Sequence, residues 1–391
     1  MAMEGTMRLG PSGQPGLISA RGATLAVPLE ADCRSFRTYS DIASDLEGLE
    51  GTPFQSAHWL SAWLDTFATD PAIEPHLITL RDGAGVIVFA LPIIRYREGA
   101  LRVIEIPDLG VTDYAAPLLR RDRLVDLPAA PALLDLMRRA MPPADLLRLN
   151  RLCPLVAGMP NPLHDHPAGR RNRISGWLLN LPQTPEAYHS RLGKAHRETL
   201  GKYRRRFAQI EGSEAYPIED VPTALAELDH LDRMQEARVT ELGKDYHLNQ
   251  PRIAAFYRRL VETGIASRET LMCRFAVKGE TLAVNFAVRA GERLVYLRLT
   301  NAFGEWARFS LGTLVTDHMI RASIGIGVGE FDFAMGDYEY KRRFGAKVMP
   351  LHNLVLPLSA RGWPAAALWH LRDRLARSTI LRRLTGREAT S

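Results

Sequence analysis

The sequence predicts an α/β chain of the α+β type, folded as two tandem modules that each set helices against a mixed, mostly antiparallel sheet. Three observations carry this expectation. Apolar residues recur at helical spacing in several segments. Strand-like runs are joined by short glycine-containing links of the hairpin kind. The same order of helix, strands, helix and strand occurs twice along the 391 residues, and weak similarity in only two copies indicates a duplicated domain rather than a solenoid.

Composition narrows the class. Apolar residues make up 46% and charged residues 24% of the chain, the balance of a folded rather than a disordered protein. No stretch reaches the roughly 18 consecutive apolar residues of a membrane helix. The opening MAMEGTMRLGPSGQPG has no basic region followed by an apolar one, so residues 1–45 are expected to be a partly disordered leader and the protein to be cytoplasmic. Cys33, Cys153 and Cys273 are odd in number and not at metal-ligand spacing, which implies reduced, inert thiols. A net charge of +6 permits an anionic partner without identifying it.

The first module is expected over 46–182. Ser56 stands as N-cap of a helix whose Trp59, Leu60, Trp63, Leu64 and Phe67 share a buried face. Strands follow at 76–80, 86–94 and 101–106, then a further strand at 113–119, a helix at 124–139 and closing strands at 145–149 and 175–181. Residues 183–220 are expected to hold a long basic linking helix, about 185–210, with Tyr188, Leu192, Leu200, Tyr203, Phe207 and Ile210 on one face. Lys194, Arg197, Lys202, Arg204, Arg205 and Arg206 crowd the rest of it, as a solvated face bridging two modules or as a track for an anionic substrate. The second module, 221–358, has helices at 223–242 and 251–263, strands at 270–277, 281–289 and 294–300, a helix at 310–323, and strands at 330–334 and 348–358. Arg81-Asp82-Gly83 before one long strand corresponds to Val277-Lys278-Gly279 before another.

Chemistry concentrates between Ala302 and Gly345. The recognisable pieces are Ser310-Leu311-Gly312-Thr313-Leu314, Asp332-Phe333, and Gly336-Asp337 through Tyr340-Lys341 to Phe344-Gly345. This pattern resembles the acetyltransferase domain of the GNAT family branch that includes the cellulose-biosynthesis protein CelD, itself related to FemAB-type peptidyltransferases. Phe54-Gln55-Ser56 with its tryptophans and the 192–206 helix extend the resemblance over most of 46–358. Leu311 departs from the proline usual before the helix-start glycine. The resemblance implies two tandem GNAT-like modules, the second binding an acyl-CoA co-substrate without a metal.

A helix N-terminus presents unpaired amides and the positive end of the helix dipole, so the 310–323 helix is expected to bind the coenzyme A diphosphate. Arg308, Ser310, Gly312 and Thr313 would supply the guanidinium, the hydroxyls and the close backbone approach; the same residues also make an ordinary capped helix. Acyl transfer needs an amine deprotonated, an oxyanion stabilised and a thiolate protonated. Asp337 is the candidate base, Tyr340 the candidate acid, and Lys341 a candidate for a phosphate or carboxylate, although Gly-Asp equally starts a structural turn. Asp332 either lines the cleft or anchors an arginine, and Asn285 and Arg298 are further substrate-binding candidates.

His164-Asp165-His166 shows no third metal ligand at helpful spacing and is expected to be a surface loop. The tail 359–391 reads as a basic amphipathic helix with tryptophan, which either docks on the protein's own core or lies on the inner membrane face. The leading function is transfer from an acyl-CoA to an amine or hydroxyl, with a saccharide or lipid-linked precursor as acceptor implied by the CelD resemblance alone. The alternatives are an aminoacyl-tRNA-dependent FemAB-type transferase, the one reading that brings in nucleic acid, and a non-catalytic accessory protein of polysaccharide biosynthesis.

Overall fold

The computed structural model describes residues 29–377. In chain order they form β1 (Glu30–Ser35), α1 (Ala57–Phe67), β2 (Glu74–Arg81), β3 (Ile87–Glu98), β4 (Leu101–Glu105), α2 (Ala130–Ala140), β5 (Leu146–Leu152) and β6 (Gly176–Asn180). There follow α3 (Pro185–Arg191), α4 (Lys194–Ala208), β7 (Ser213–Pro217), α5 (Val221–Glu241), α6 (Pro251–Gly264), β8 (Thr270–Val277), β9 (Glu280–Ala290) and β10 (Arg293–Asn301). The remainder is α7 (Leu311–Gly325), β11 (Glu330–Met335), α8 (Glu339–Arg343), β12 (Lys347–Met349), β13 (His352–Pro357) and α9 (Gly362–Arg377), with four two-residue strands elsewhere.

Two mixed sheets result, each flanked by helices. One runs β1-β2-β3-β4-β5-β13, the other β7-β8-β9-β10-β11-β6-β12. In each, one neighbouring pair is parallel, β4 with β5 and β10 with β11, and the other pairs are antiparallel. The turns at Asp82–Gly85 and Lys278–Gly279 occupy corresponding places before β3 and β9.

Several expected elements move. Residues 30–35, assigned to the leader, form β1 along β2. Of the strand expected at 113–119 only Leu118–Leu119 forms a strand, while Ala115 makes an isolated bridge to Leu152. The helix expected at 124–139 is a 3-10 turn at 121–126 and then α2, separated where Pro128 and Pro131 withhold N–H groups. The helix expected at 185–210 breaks at Leu192, whose backbone is extended before Gly193. Strand β6 closes the second sheet rather than the first, while β13 crosses back to the first. Each half therefore supplies a strand to the other half's sheet.

This exchange accompanies a shared core. The rings of Trp59 on α1 and Phe256 on α6 meet edge to face at 4.8 Å, and Tyr257 meets Phe286 of β9 at 5.4 Å. Burial of a side chain such as Phe256 stabilises by roughly 1.5–3 kcal/mol. The opposite face of the second sheet packs on α4 and α7 through Phe207, Phe309, Leu314 and Met319.

Candidate active site

Strands β10 and β11 pair only from Arg293–Val295 against Glu330–Asp332. Beyond that point β10 stays with β9 as far as Asn301, and β11 turns to β6, where Met335 faces Gly176. The two parallel neighbours thus part into a wedge between residues 296–301 and 333–335. Two local features open it. A bulge at Leu297 shifts the register of β10, and Ala334 adopts a left-handed backbone with φ 56°.

Helix α7 starts at the wider end of the wedge. A Cβ on Gly312 would stand 2.8 Å from Asn301 Oδ1, at the end of β10, so the glycine lets the helix start approach the strand. Ser310 has φ 50° and ψ 51° and does not cap the helix through its side chain as expected. Its hydroxyl instead lies 2.9 Å from that of Thr313. Among the described residues the amides of Leu311 and Gly312 have no hydrogen-bond acceptor, and a left-handed residue followed by helix forms an anion-accepting nest of N–H groups. Arg308 is exposed, and its guanidinium and that of Arg206 from α4 lie 4.9 and 5.6 Å from the Phe309 ring. All four residues expected to hold the cofactor therefore meet at one helix start, and a basic helix adds a guanidinium. This donor set suits a diphosphate.

The residues after β11 gather at the other wall. Lys341 is 1% exposed and its Nζ donates to the carbonyls of Ala334 (3.2 Å) and Met335 (2.9 Å). Burial depresses its pKa to about 8, against the opposing pull of Asp332, Asp113 and Asp337. Held this way, it ties down the end of β11 and does not reach outward to a phosphate, the role expected of it. Burial pushes the Tyr340 phenol up to about 12, with Tyr338 adding to the effect, so it keeps its proton. Asp337 is exposed and accepts from the Trp177 indole N–H at 3.1 Å.

Asp332, expected either at the cleft or on an arginine, takes the second course. It is fully buried. Its Oδ2 accepts from Arg293 at 2.5 Å and its Oδ1 from the Tyr114 hydroxyl at 2.9 Å and the Ala334 N–H at 2.8 Å. Asn285 is also fully buried, accepting from the Cys273 N–H and donating to the Val315 carbonyl; it joins the sheet to α7 and lies in no open cleft. Arg298 turns the other way, because the Leu297 bulge reverses the alternation of β10. It binds Asp232, Gln235 and Tyr246 on the α5–α6 side and leaves Nη1 buried without a partner.

One group was not singled out from the sequence. Asp113, in a loop of the first half, accepts from the Met335 N–H at 3.3 Å. Burial raises its carboxyl to about 6; Arg151 and the Met335 N–H oppose the rise, while Asp332 and Asp108 add to it. It stands at the wedge from the side opposite α7. The fold alone brings it there, 222 residues away in sequence, and its only sequence signal is an acid in a segment too irregular for the strand expected of it.

The histidine loop also differs from expectation. His352 of β13 joins His164 and Asp165, their ligand atoms lying within 4.8 Å of one another. The His164 and His352 rings stack at 4.0 Å and 13°, however, and both nitrogens of His164 face protein oxygens. Stacked rings cannot aim their lone pairs at one ion, so the group fastens β13 to the loop.

Residues 194–342 match the model of the acetyltransferase (GNAT) domain. No curated protein matches the sequence significantly. Among solved structures, FemX is 9% identical with a TM-score of 0.56, over 86% of this chain and 99% of FemX. The C-terminal domain of a putative lysylphosphatidylglycerol synthetase from Agrobacterium fabrum is 11% identical with a TM-score of 0.49, over 86% and 96%. A tandem GNAT protein from the clavulanic acid biosynthesis pathway is 13% identical with a TM-score of 0.43, over 84% and 99%. The likeness to FemX is one of fold. The matched segment, an acyltransferase domain of the GNAT type, contains the wedge, the α7 start and Lys341.

Proposed function

We propose that the chain transfers an acyl group from an acyl-CoA to an amine or hydroxyl on a saccharide or cell-envelope precursor, the acceptor class implied by the CelD resemblance. The observation that carries the transfer itself is the wedge between β10 and β11 with unpaired amides at its mouth. The diphosphate would rest on the Leu311 and Gly312 amides, flanked by Arg308 and the Ser310 and Thr313 hydroxyls, and the pantetheine arm would enter the wedge. The corresponding helix of the first half, α2, has Pro131 in its first turn and no side-chain cap. It lacks one of the needed N–H groups, so the first half serves as scaffold and acceptor wall.

The acceptor amine approaches from the Asp113 side and attacks the thioester carbonyl. An N–C bond forms and the C–S bond breaks; Asp113 takes the amine proton and Tyr340 gives one to the thiolate. A base near pKa 6 is ionised at neutral pH yet still accepts a proton. Asp337, exposed beside Trp177, is the second candidate base. Lys341 positions the end of β11.

A thermal-unfolding titration with acetyl-CoA tests this. At 100 times the dissociation constant the ligand stabilises by about 2.7 kcal/mol, and a flat Tm up to millimolar acetyl-CoA would remove the reading. A second reading, aminoacyl-tRNA-dependent transfer, is favoured by the exposed Lys194, Lys202 and Arg205 of α4. Retention of bulk tRNA in a gel that is lost with added salt would support it.

A further inference from the structure

Helix α9 has two faces. Gly362, Ala366, Trp369 and Asp373 turn inward; Ala366 and Trp369 pack on Val103, Leu146 and Val355 of the first sheet, and His370 Nε2 lies 3.2 Å from the Val355 carbonyl. Residues 362–377 of the tail thus dock on the protein's own core, and 378–391 lie outside the described residues. The same helix nevertheless carries a second apolar row on its far side. Leu368, Leu371 and Leu375 are 47%, 52% and 46% exposed, and Trp363 at the start of the helix is 66% exposed. Their steps of three and four residues place the leucines in one stripe. Four of the twelve large apolar side chains exposed among the described residues thus sit on one 16-residue helix, which marks a patch rather than scattered exposure.

Charge names the partner. Arg361, Arg372, Arg374 and Arg377 are all exposed along the helix, and its single acid, Asp373, is bound by Arg377. The surroundings are basic as well. Arg138 borders the groove that Trp363 lines, and Arg377 also donates to the Arg171 carbonyl, in the exposed Arg170–Arg171 edge strand. A protein partner for such a stripe would need an acidic rim around an apolar groove. An anionic bilayer offers both an apolar layer and negative headgroups over any area.

We infer that the outer face of α9 is a peripheral docking surface for an anionic lipid bilayer, with Leu368, Leu371 and Leu375 entering the headgroup boundary and the flanking Arg372 and Arg374 pairing with lipid phosphates. Docking through the outer face leaves the inner face on the first sheet, so the enzyme is held at the surface without unfolding its tail. No helix among the described residues is long and apolar enough to cross a membrane, and docking needs none.

The test is co-sedimentation of the full-length protein with vesicles of phosphatidylglycerol and phosphatidylcholine, set against pure phosphatidylcholine. Binding is expected to the anionic vesicles and to fall as salt is raised. The variant L368Q/L371Q/L375Q should lose binding by more than about tenfold, and each of Arg372→Gln and Arg374→Gln should weaken it by about fivefold. All should keep the wild-type Tm and acetyl-CoA response, because these side chains face outward. Three results would overturn the inference: wild-type protein left in the supernatant with anionic vesicles at low salt, a leucine variant that binds as wild type does, or a dimer in solution that the leucine variant abolishes, which would make a second copy the occupant. The vesicle readout does not depend on acyl transfer, so either proposal can fail alone.

Discussion

Replacing Lys341 with methionine separates the two jobs that its ammonium performs. In the folded chain the amine is buried and its pKa falls from 10.5 to about 8, so keeping it charged at neutral pH opposes folding by about 2–3 kcal/mol. The same ammonium donates to the Ala334 and Met335 carbonyls, and leaving a buried acceptor unpaired costs about 1–3 kcal/mol each. The two carbonyls together cost about 2–6 kcal/mol and relief of the buried charge returns about 3, so Lys341→Met should lower stability at pH 7 by only about −1 to +3 kcal/mol. The pH dependence is more telling. Between pH 8 and 10.5 the unfolded lysine still holds a proton that the folded one has lost, so wild-type unfolding free energy rises with pH across that window. Urea titrations at pH 7, 8, 9 and 10 should show the rise in wild type and its absence in the variant. Turnover should fall by about 100-fold through displacement of the end of β11. Parallel stability curves for the two proteins would refute the buried-lysine account.

Asp113→Asn should remove the acid limb of the kcat/KM profile near pH 6 and lower the rate by roughly 100- to 10,000-fold. Because the folded carboxyl titrates above its ordinary 3.8, wild-type stability should fall as pH rises from about 4 to 6 relative to the variant, as read by denaturant midpoints. Gly312→Val places a Cβ 2.8 Å from Asn301 Oδ1, pushing α7 from β10; the Tm increase given by acetyl-CoA should shrink while the far-UV spectrum is kept. Gly362→Ala would put a Cβ 1.8 Å from the Asp145 carbonyl oxygen, and scanning calorimetry should show a loss of about 2 kcal/mol or more as α9 lifts.

Local order was legible where local rules govern. Ser56 caps α1 and accepts from the Trp59 N–H, and the five residues expected on its inner face are all buried. The hairpin β8–β9–β10 follows its glycine turns. What escaped depends on distant partners. The exchange of β6 and β13 pairs segments separated by about 150 residues or more, and nothing in either short strand says which sheet it joins. At the site, the helix-start residues and Lys341 stand out in the sequence because a motif carries them. Arg298 was misdirected by a one-residue bulge with no signature of its own, and Asp113 becomes a candidate base only when a loop from the other half closes over the wedge.

A crystal structure with coenzyme A would show whether the cofactor lies in the wedge with its diphosphate on the α7 start. Phosphate oxygens are expected within hydrogen-bond distance of the Leu311 and Gly312 amides, with the thiol between β10 and β11, close to Tyr340. Coenzyme A bound elsewhere, with those amides facing solvent, would rule this arrangement out.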